Sequence, residues 1–354
     1  MGSYLEINLD KIRQNVSTVS SICRRYGVTL YGVTKVFCAD PRIVKSFLDG
    51  GVAGLADSRI ENIIKLKELN TGLPLMLLRL SSQSEARDVV TLCDLSLNSE
   101  ISTLKALDRA AREFDRVHET VIMVDLGDLR EGVLPDKLFE LIAEAVLFKN
   151  LRIIGLGTNA ACFGGVIPTP ENMGQLLNLK HQVERKFKLK LPFVSGGNSS
   201  ALPLLQSGKM PAGINNFRVG EAIALGRNVI DRSPYPGTTQ DTFVFKGEIV
   251  EYRDKPSVPI GDRGQNAFGE TEEFPERGII RRAIVAAGRQ DLKPDGMMPA
   301  DSLVSVLGGS SDHLILEIRG RKNRYKVGDF LEFYPNYGSL LALMTSPYIK
   351  KVYV

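Results

Sequence analysis

No run of about eighteen apolar residues occurs in the 354-residue sequence, so no segment has the length and hydropathy of a membrane-spanning helix. The opening Met1-Gly2-Ser3-Tyr4-Leu5-Glu6 lacks an apolar signal region, and Glu6 stands where an N-myristoylation signal needs Ser or Thr. A cytoplasmic location is the expectation. The four cysteines, Cys23, Cys38, Cys93 and Cys162, show no CxxC spacing, which excludes a disulfide framework or a zinc site and predicts reduced, mostly buried thiols. A formal charge of +4 is mild for this length and gives no support to nucleic-acid binding. Neither GxGxxG nor GxxxxGK[ST] falls where a strand meets a helix, so dinucleotide and P-loop sites have no support either.

What the sequence does have is alternation. With 43% hydrophobic and 24% charged residues, it has the composition of a globular protein long enough for two domains. Short β-rich apolar runs recur at 30–36, 51–56, 73–79, 92–97, 120–126, 153–157, 192–195 and 215–219. Between most of them, stretches such as 57–69, 99–113, 135–147 and 169–186 repeat apolar residues every three or four positions, with Asp57, Ser99 and Thr169 placed as N-caps. Eight strands alternating with helices predict an α/β fold, a (β/α)8 TIM-type barrel over 11–230; a doubly wound sheet also alternates, but with fewer strands. His118 and His181 fall in helix-like stretches and are expected at the surface.

After Ile230 the texture changes. Residues 231–237 form a turn-rich linker, and alternating runs follow at 242–252, 278–287, 313–318, 325–334 and 348–354. They predict a C-terminal all-β domain over 231–354, a small barrel or sandwich. The basic cluster from Arg319 to Arg324 reads as a solvated hairpin tip between two of its strands.

In an eight-stranded α/β barrel, reactive residues sit at the C-terminal ends of strands, and phosphate is commonly held by the loops after the seventh and eighth. The first run ends in Thr34-Lys35-Val36. A lysine in an apolar strand is costly to bury as a cation. It is either a Schiff-base lysine, which bonds pyridoxal 5'-phosphate (PLP) through its unprotonated amine, or a lysine whose ammonium reaches back to solvent. Gly196-Gly197-Asn198-Ser199-Ser200 follows the seventh run, where small residues and hydroxyls leave backbone N–H groups open to an anion. The eighth run ends in Arg218-Val219-Gly220, again a cation and a glycine. Either turn alone is ordinary punctuation; both together, with Lys35, point to PLP.

In order and spacing these segments resemble the alanine racemase family of fold-type III PLP enzymes from end to end, and within it the ornithine racemase branch. Tyr4-Leu5-Glu6-Ile7-Asn8-Leu9, with Ile12 and Asn15, is similar to the family's first strand and helix, a strand (here 1–10) that returns to the C-terminal β domain. Tyr31-Gly32-Val33-Thr34-Lys35 resembles the PLP-lysine strand. Asp125-Leu126-Gly127-Asp128-Leu129-Arg130-Glu131-Gly132 resembles the segment whose arginine orients cofactor and substrate. Asn198-Ser199-Ser200-Ala201 is similar to the phosphate turn, and Arg218-Val219-Gly220-Glu221 to the last strand end. Ser310-Ser311-Asp312-His313 sits like the family's Cys-Met-Asp-Gln. The resemblance implies a cofactor set of Lys35, Arg130, Asn159, Asn198, Ser199, Arg218, Gly220 and Glu221, no metal, and a homodimer whose sites are shared between subunits.

Two departures stand out. Asn159 replaces the family's ring-stacking histidine, and Arg289 follows Gly288 where the family has its tyrosine base. An arginine cannot accept a proton near neutral pH. The resemblance places Arg218 at the pyridine nitrogen, where a cation favours racemisation over decarboxylation; fold-related decarboxylases have a carboxylate there. Racemisation needs proton carriers on both faces of Cα. Lys35 is expected on one face. Ser311, flanked by Asp312, is expected on the other, because the related decarboxylases present a working cysteine at this place; Asp312, His313 and Tyr337 are the alternatives. The implied activity is racemisation of a free amino acid, ornithine with lysine second, and a terminal amine would need a carboxylate such as Asp291 or Asp312. A PLP decarboxylase and a non-catalytic PLP carrier are the competing readings; carriers of this type are barrel-only chains.

Overall fold

The structure is a computed structural model in which residues 2–320 and 324–354 are described. Arg321, Lys322 and Asn323 of the basic cluster lie outside the described residues. The chain forms two compact units, Asp10–Thr239 and a second comprising residues up to Leu9 with Gln240–Val354. The 231–237 segment belongs to the first unit: Tyr235 is buried, and the Asn15 side chain donates to Thr239 O (2.9 Å) and to Ile223 O (3.0 Å). Among the described residues no helix is long and apolar enough to cross a membrane.

After β1 (Tyr4–Ile7), eight parallel strands close into a barrel in chain order. They are β2 (Thr29–Val33), β3 (Gly54–Asp57), β4 (Leu75–Leu77), β5 (Leu95–Asn98), β6 (His118–Met123), β7 (Leu151–Gly157), β8 (Phe193–Ser195) and β9 (Asn216–Val219). Each lies on or against one of the eight apolar runs. Side chains from Tyr31, Val33, Ala56, Met76, Leu95, Leu97, Val121 and Met123 make one buried cluster, against which Leu78, Ile154 and Phe193 pack. A barrel of this size is thus a packed core with a working rim. Closure is tight at Gly155, where an added Cβ would fall 1.7 Å from Phe193 O, so any side chain would part β7 from β8.

Local signals set the helix ends unevenly. Thr169 caps the helix Pro170–Phe187 in a reciprocal box, accepting from Asn172 N while the Asn172 side chain accepts from Thr169 N. Ser99 is not a cap; Glu100 takes the N-cap position of Ile101–Glu113 without a side-chain bond. Asp57 is not a cap either, because it ends β3 and Arg59 precedes the helix Ile60–Glu68. Its carboxylate instead gathers Ser58 N, Arg59 N, the Asn62 amide and the Thr34 hydroxyl.

His118 is also misplaced by the sequence pattern. It opens β6, is 3% exposed and shares a 2.8 Å hydrogen bond with Ser96 Oγ, while burial lowers its pKa to about 4. His181 lies exposed on its helix, as expected.

Among the described residues, the second unit is all-β apart from one α-helix and one 3-10 turn, Pro294–Gly296. β10 (Phe243–Pro256), β11 (Ile279–Val285), β12 (Met297–Pro299), β13 (Val304–Gly309), β14 (Leu314–Ile318) and β15 (Phe330–Pro335) run in the order β12-β15-β10-β11-β14-β13. β1 pairs antiparallel with β10 and parallel with β16 (Lys350–Tyr353). The long β10 is shared: its first half pairs with β1 and β15, its second with β11 beyond a register shift at Ile249/Glu251. That shared strand joins all eight strands in one connected sheet, where the sequence suggested a barrel or sandwich. β12, β13 and the helix Tyr337–Thr345 have no counterpart among the sequence-predicted runs.

Candidate active site at the barrel mouth

Lys35 leaves β2 in a single 3-10 turn, Lys35–Phe37. Cys38 and Ala39, both non-glycine, then take left-handed backbone angles of 54° and 53°. Two such residues in succession are strained, and strain of this kind collects where geometry must be imposed. Burial, and then the Arg130 charge, push the Lys35 pKa below the usual lysine range. Cys162, Asp57 and Glu131 act on it in the opposite sense. Thr34 anchors the turn by donating to Asp57 Oδ2 at 2.5 Å, and Asp57 is fully buried. Burial holds the Asp57 carboxyl above its ordinary pKa despite these donors.

Arg130 projects from the loop after β6. Its guanidinium pairs with Glu131 and donates from Nη1 to the Cys162 sulfur at 2.8 Å. The loop is wound on two buried aspartates. Asp125 Oδ1 accepts from Gly127 N (2.8 Å) and Leu129 N (3.2 Å). Asp128 reaches across to the loop after β7, accepting from Cys162 N (3.3 Å), Phe163 N (3.0 Å) and Val166 N (3.1 Å). Gly132 has φ +130°, and a Cβ there would sit 2.4 Å from Asp125 N, so only glycine lets the loop close.

Arg218, in β9, is 4% exposed. It donates to Ser195 Oγ and, at 2.8 Å, to Thr158 O, while Ser195 Oγ donates to Asn216 Oδ1 at 2.6 Å. Burial lowers its pKa to about 10, which leaves it a cation at neutral pH.

At the next turn Asn198 accepts from Ser200 N (2.7 Å) and donates to Asn159 Oδ1 (3.0 Å) and Ala160 O (2.8 Å). Ser199 Oγ accepts from Ala222 N at 3.2 Å, joining this turn to the Gly220–Glu221 segment. Glu221 is paired with Arg232; burial raises its pKa, and the Arg232 charge opposes that.

Two buried groups here lack a protein partner: Asn159 Nδ2 and Thr158 Oγ1. An unmet buried donor costs about 1–3 kcal/mol, so a ligand that supplied an acceptor to Asn159 Nδ2 would relieve that cost. The structure therefore gathers the neighbourhoods of Lys35, Arg130, Asn159, Asn198, Ser199, Arg218, Gly220 and Glu221 on barrel strand ends of one unit. Asp57, Asp128, Glu131, Cys162 and Ser195 join them. Sequence reasoning missed Asp57, Asp128, Cys162 and Ser195 because contact between separate segments selects them, and Glu131 because its pairing with the adjacent Arg130 is visible only in the fold.

Ser311 and Asp312 belong to the other unit, in the exposed turn between β13 and β14, where Ser311 Oγ donates to Asp312 Oδ2 at 3.0 Å. His313 shares that turn, and Tyr337 opens the Tyr337–Thr345 helix. Asp291 is 8% exposed, lies in the same unit as Asp312 and accepts from Ser346 Oγ at 2.6 Å. Arg289 N donates to Ser310 O at 2.8 Å, and its guanidinium pairs with Glu270 (2.8 Å) and Glu272 (3.3 Å) above the Phe268 ring. It is an anchored cation and not a proton acceptor.

Comparison with known proteins adds the following. The family described as alanine racemase, N-terminal domain, matches residues 7–227. The ornithine racemase of Acetoanaerobium sticklandii is 43% identical over 352 residues, 99% of this chain and 99% of that one. The lysine racemase of Thermotoga maritima is 41% identical over 349 residues, covering 99% and 98%. Among solved structures, the alanine racemase of D-cycloserine-producing Streptomyces lavendulae superposes with a TM-score of 0.75 at 17% identity, covering 100% of this chain and 97% of that one, which is a likeness of fold.

Proposed function

This chain belongs to the alanine racemase family, and on that premise we propose that it interconverts the L and D forms of free ornithine, with lysine as a second substrate. It is an amino-acid racemase. The observation that carries the reading is identity of 43% and 41%, over nearly the full length of both chains, to racemases of two basic amino acids.

The donor set fits PLP: an amine disfavoured as a cation, a buried guanidinium, a turn of hydroxyls and backbone N–H groups, and the unmet amide of Asn159. Lys35 would hold the aldehyde carbon, Arg218 would meet the ring nitrogen, Asn198, Ser199 and the Gly220–Glu221 segment would hold the phosphate, and Arg130 and Asn159 would flank the ring. When bound, the cofactor supplies the electron sink that makes the Cα proton removable.

The chain's own residues do the rest. Lys35, neutral at a lower pH than an ordinary lysine, takes or returns the Cα proton on one face. Arg218 stays charged, which favours proton chemistry at Cα over loss of the carboxylate. Arg130, oriented by Glu131 and Cys162, keeps a positive charge beside Lys35 and holds the amine ready to accept. For the opposite face the candidate is Ser311, whose hydroxyl donates to Asp312, with Cys162 of the barrel unit as the alternative. The reading includes a homodimer in the cytoplasm, in which the Ser311 turn would serve a partner's barrel.

Chiral chromatography of the PLP-loaded protein with L-ornithine, L-lysine and L-alanine tests the reading. D-ornithine should appear fastest and D-lysine next. Conversion of alanine alone refutes the substrate, and release of carbon dioxide refutes the reaction class.

A further inference from the structure

Cys162 is the exposed member of the four cysteines; Cys23 and Cys93 are buried and Cys38 intermediate. It is held on both sides. Its backbone N–H, with those of Phe163 and Val166, is bound by the buried Asp128 carboxylate, and its sulfur accepts from Arg130 Nη1 at 2.8 Å. Asp128 and Arg130 are two residues apart on one loop, so a single segment fixes both the backbone and the sulfur of the thiol. Three residues before Cys162, Asn159 is nine-tenths buried with Nδ2 unpartnered, and its Oδ1 is held by Asn198. That loop therefore carries an unmet donor three residues from the thiol.

The thiol also belongs to the electrostatic surroundings of Lys35, together with Arg130, Asp57, Glu131 and Glu221. Lys35 follows β2 and Cys162 follows β7. Around the closed barrel these strands are separated by β8 and β9, so the two groups belong to strand ends three positions apart on the rim.

We propose that Cys162 is the second proton carrier of the racemisation, acting on the face of Cα opposite Lys35. The inference rests on the racemase reading above. In one direction the neutral Lys35 amine takes the Cα proton and becomes ammonium, while the Cys162 thiol gives its proton to the other face and becomes thiolate. In the reverse direction the thiolate accepts and the ammonium donates. The two states hold the same number of protons and interconvert through solvent, so the cycle closes without a co-reactant. A thiol ordinarily ionises near pH 8.5, within reach of neutrality, whereas a serine hydroxyl needs far stronger activation. Cys162 also shares a unit with Lys35, so this assignment needs no second subunit to place the acid.

The test compares Cys162→Ala and Cys162→Ser, each loaded with PLP, on L- and D-ornithine in D2O. For both Cys162 variants racemisation should fall about 10²–10⁴-fold in both directions, the usual worth of a positioned acid or base. Deuterium should still enter Cα of one enantiomer without inversion, because Lys35 remains. Racemisation by Cys162→Ala within about tenfold of the parent overturns the proposal. So does loss of deuterium uptake along with racemisation, which would make Cys162 a structural residue. A second readout needs no turnover. Adding PLP to the cofactor-free protein should slow alkylation of Cys162 by iodoacetamide, because a thiol at the rim that holds the cofactor is covered when the cofactor binds. Equal alkylation rates with and without PLP overturn the proposal even if the parent proves inert towards ornithine, a failure that would otherwise belong to the racemase reading.

Discussion

The buried carboxylate of Asp128 gives the most quantitative handle on the barrel mouth. Asp128→Asn keeps the shape and removes the charge. Oδ1 accepts from Cys162 N and Val166 N, and Oδ2 from Phe163 N. With the amide oxygen in the Oδ1 position, the new NH2 group points at the Phe163 N–H, donor against donor; flipped, it opposes two donors. One bond is lost at the least, and the others change from charged to neutral. Hydrogen bonds to a charged group contribute about 1.5–3 kcal/mol each, and the 162–166 loop is exposed enough for water to recover part of the loss. The expected cost is about 2–4 kcal/mol, or roughly 5–15 °C in the melting temperature of a barrel this size. Arg130 and Cys162 hang from the two segments that Asp128 joins, so kcat/KM should fall further than the stability loss explains at a temperature where the variant remains folded. Calorimetry with steady-state kinetics measures both. A variant melting within about 2 °C of the parent, with unchanged kinetics, would refute the idea that this carboxylate positions the site.

Other expectations follow from single groups. Arg130→Gln removes the charge that holds Lys35 down and leaves Glu131 unopposed, so the lysine pKa rises; the acid limb of kcat/KM should move to higher pH, and an unmoved limb contradicts the assignment. Arg218→Lys replaces two donor nitrogens, Nη1 on Ser195 Oγ and Nη2 on Thr158 O, by one nitrogen on a shorter side chain, and kcat/KM should fall roughly 10- to 100-fold. His118, with a folded-state pKa of about 4, stays neutral where the unfolded chain is protonated. Its contribution to stability is therefore complete above about pH 6.5 and is lost as pH falls towards 4, about 3 kcal/mol in all. In His118→Asn the melting temperature should change less between pH 7 and 4.5 than in the parent, and an equal change would contradict the burial argument.

The barrel was legible because its signal is local: each strand is a short apolar run, and most are followed by a periodic helix. Lys35, Asn198 and Arg218 were legible because a barrel concentrates chemistry at strand ends, and the resemblance supplied Arg130 and Glu221. What stayed hidden depends on contacts between distant segments. His118 looked helical because charged neighbours surround it in sequence, yet pairing with β5 and β7 buries it. Asp57 looked like a helix cap, yet it serves four donors, including the Thr34 hydroxyl beside Lys35. Cys162 looked like one more scattered thiol, and only the Asp128 and Arg130 contacts set it apart. In the second unit, β13 and the Tyr337–Thr345 helix are short elements whose apolar residues do not alternate clearly. Arg289 was noticed as a departure, but its carboxylate partners lie 17 and 19 residues upstream in a stretch with no periodicity.

The most direct test of the central claim starts from both sides of the reaction. The PLP-loaded protein is given pure L-ornithine in one cell and pure D-ornithine in another, and optical rotation and total ornithine are followed together. Enantiomers have equal free energies in water, so a racemase must bring both cells to zero rotation with no loss of ornithine, and this is the result the account predicts. Rotation that settles away from zero, or a fall in total ornithine as carbon dioxide appears, would contradict it.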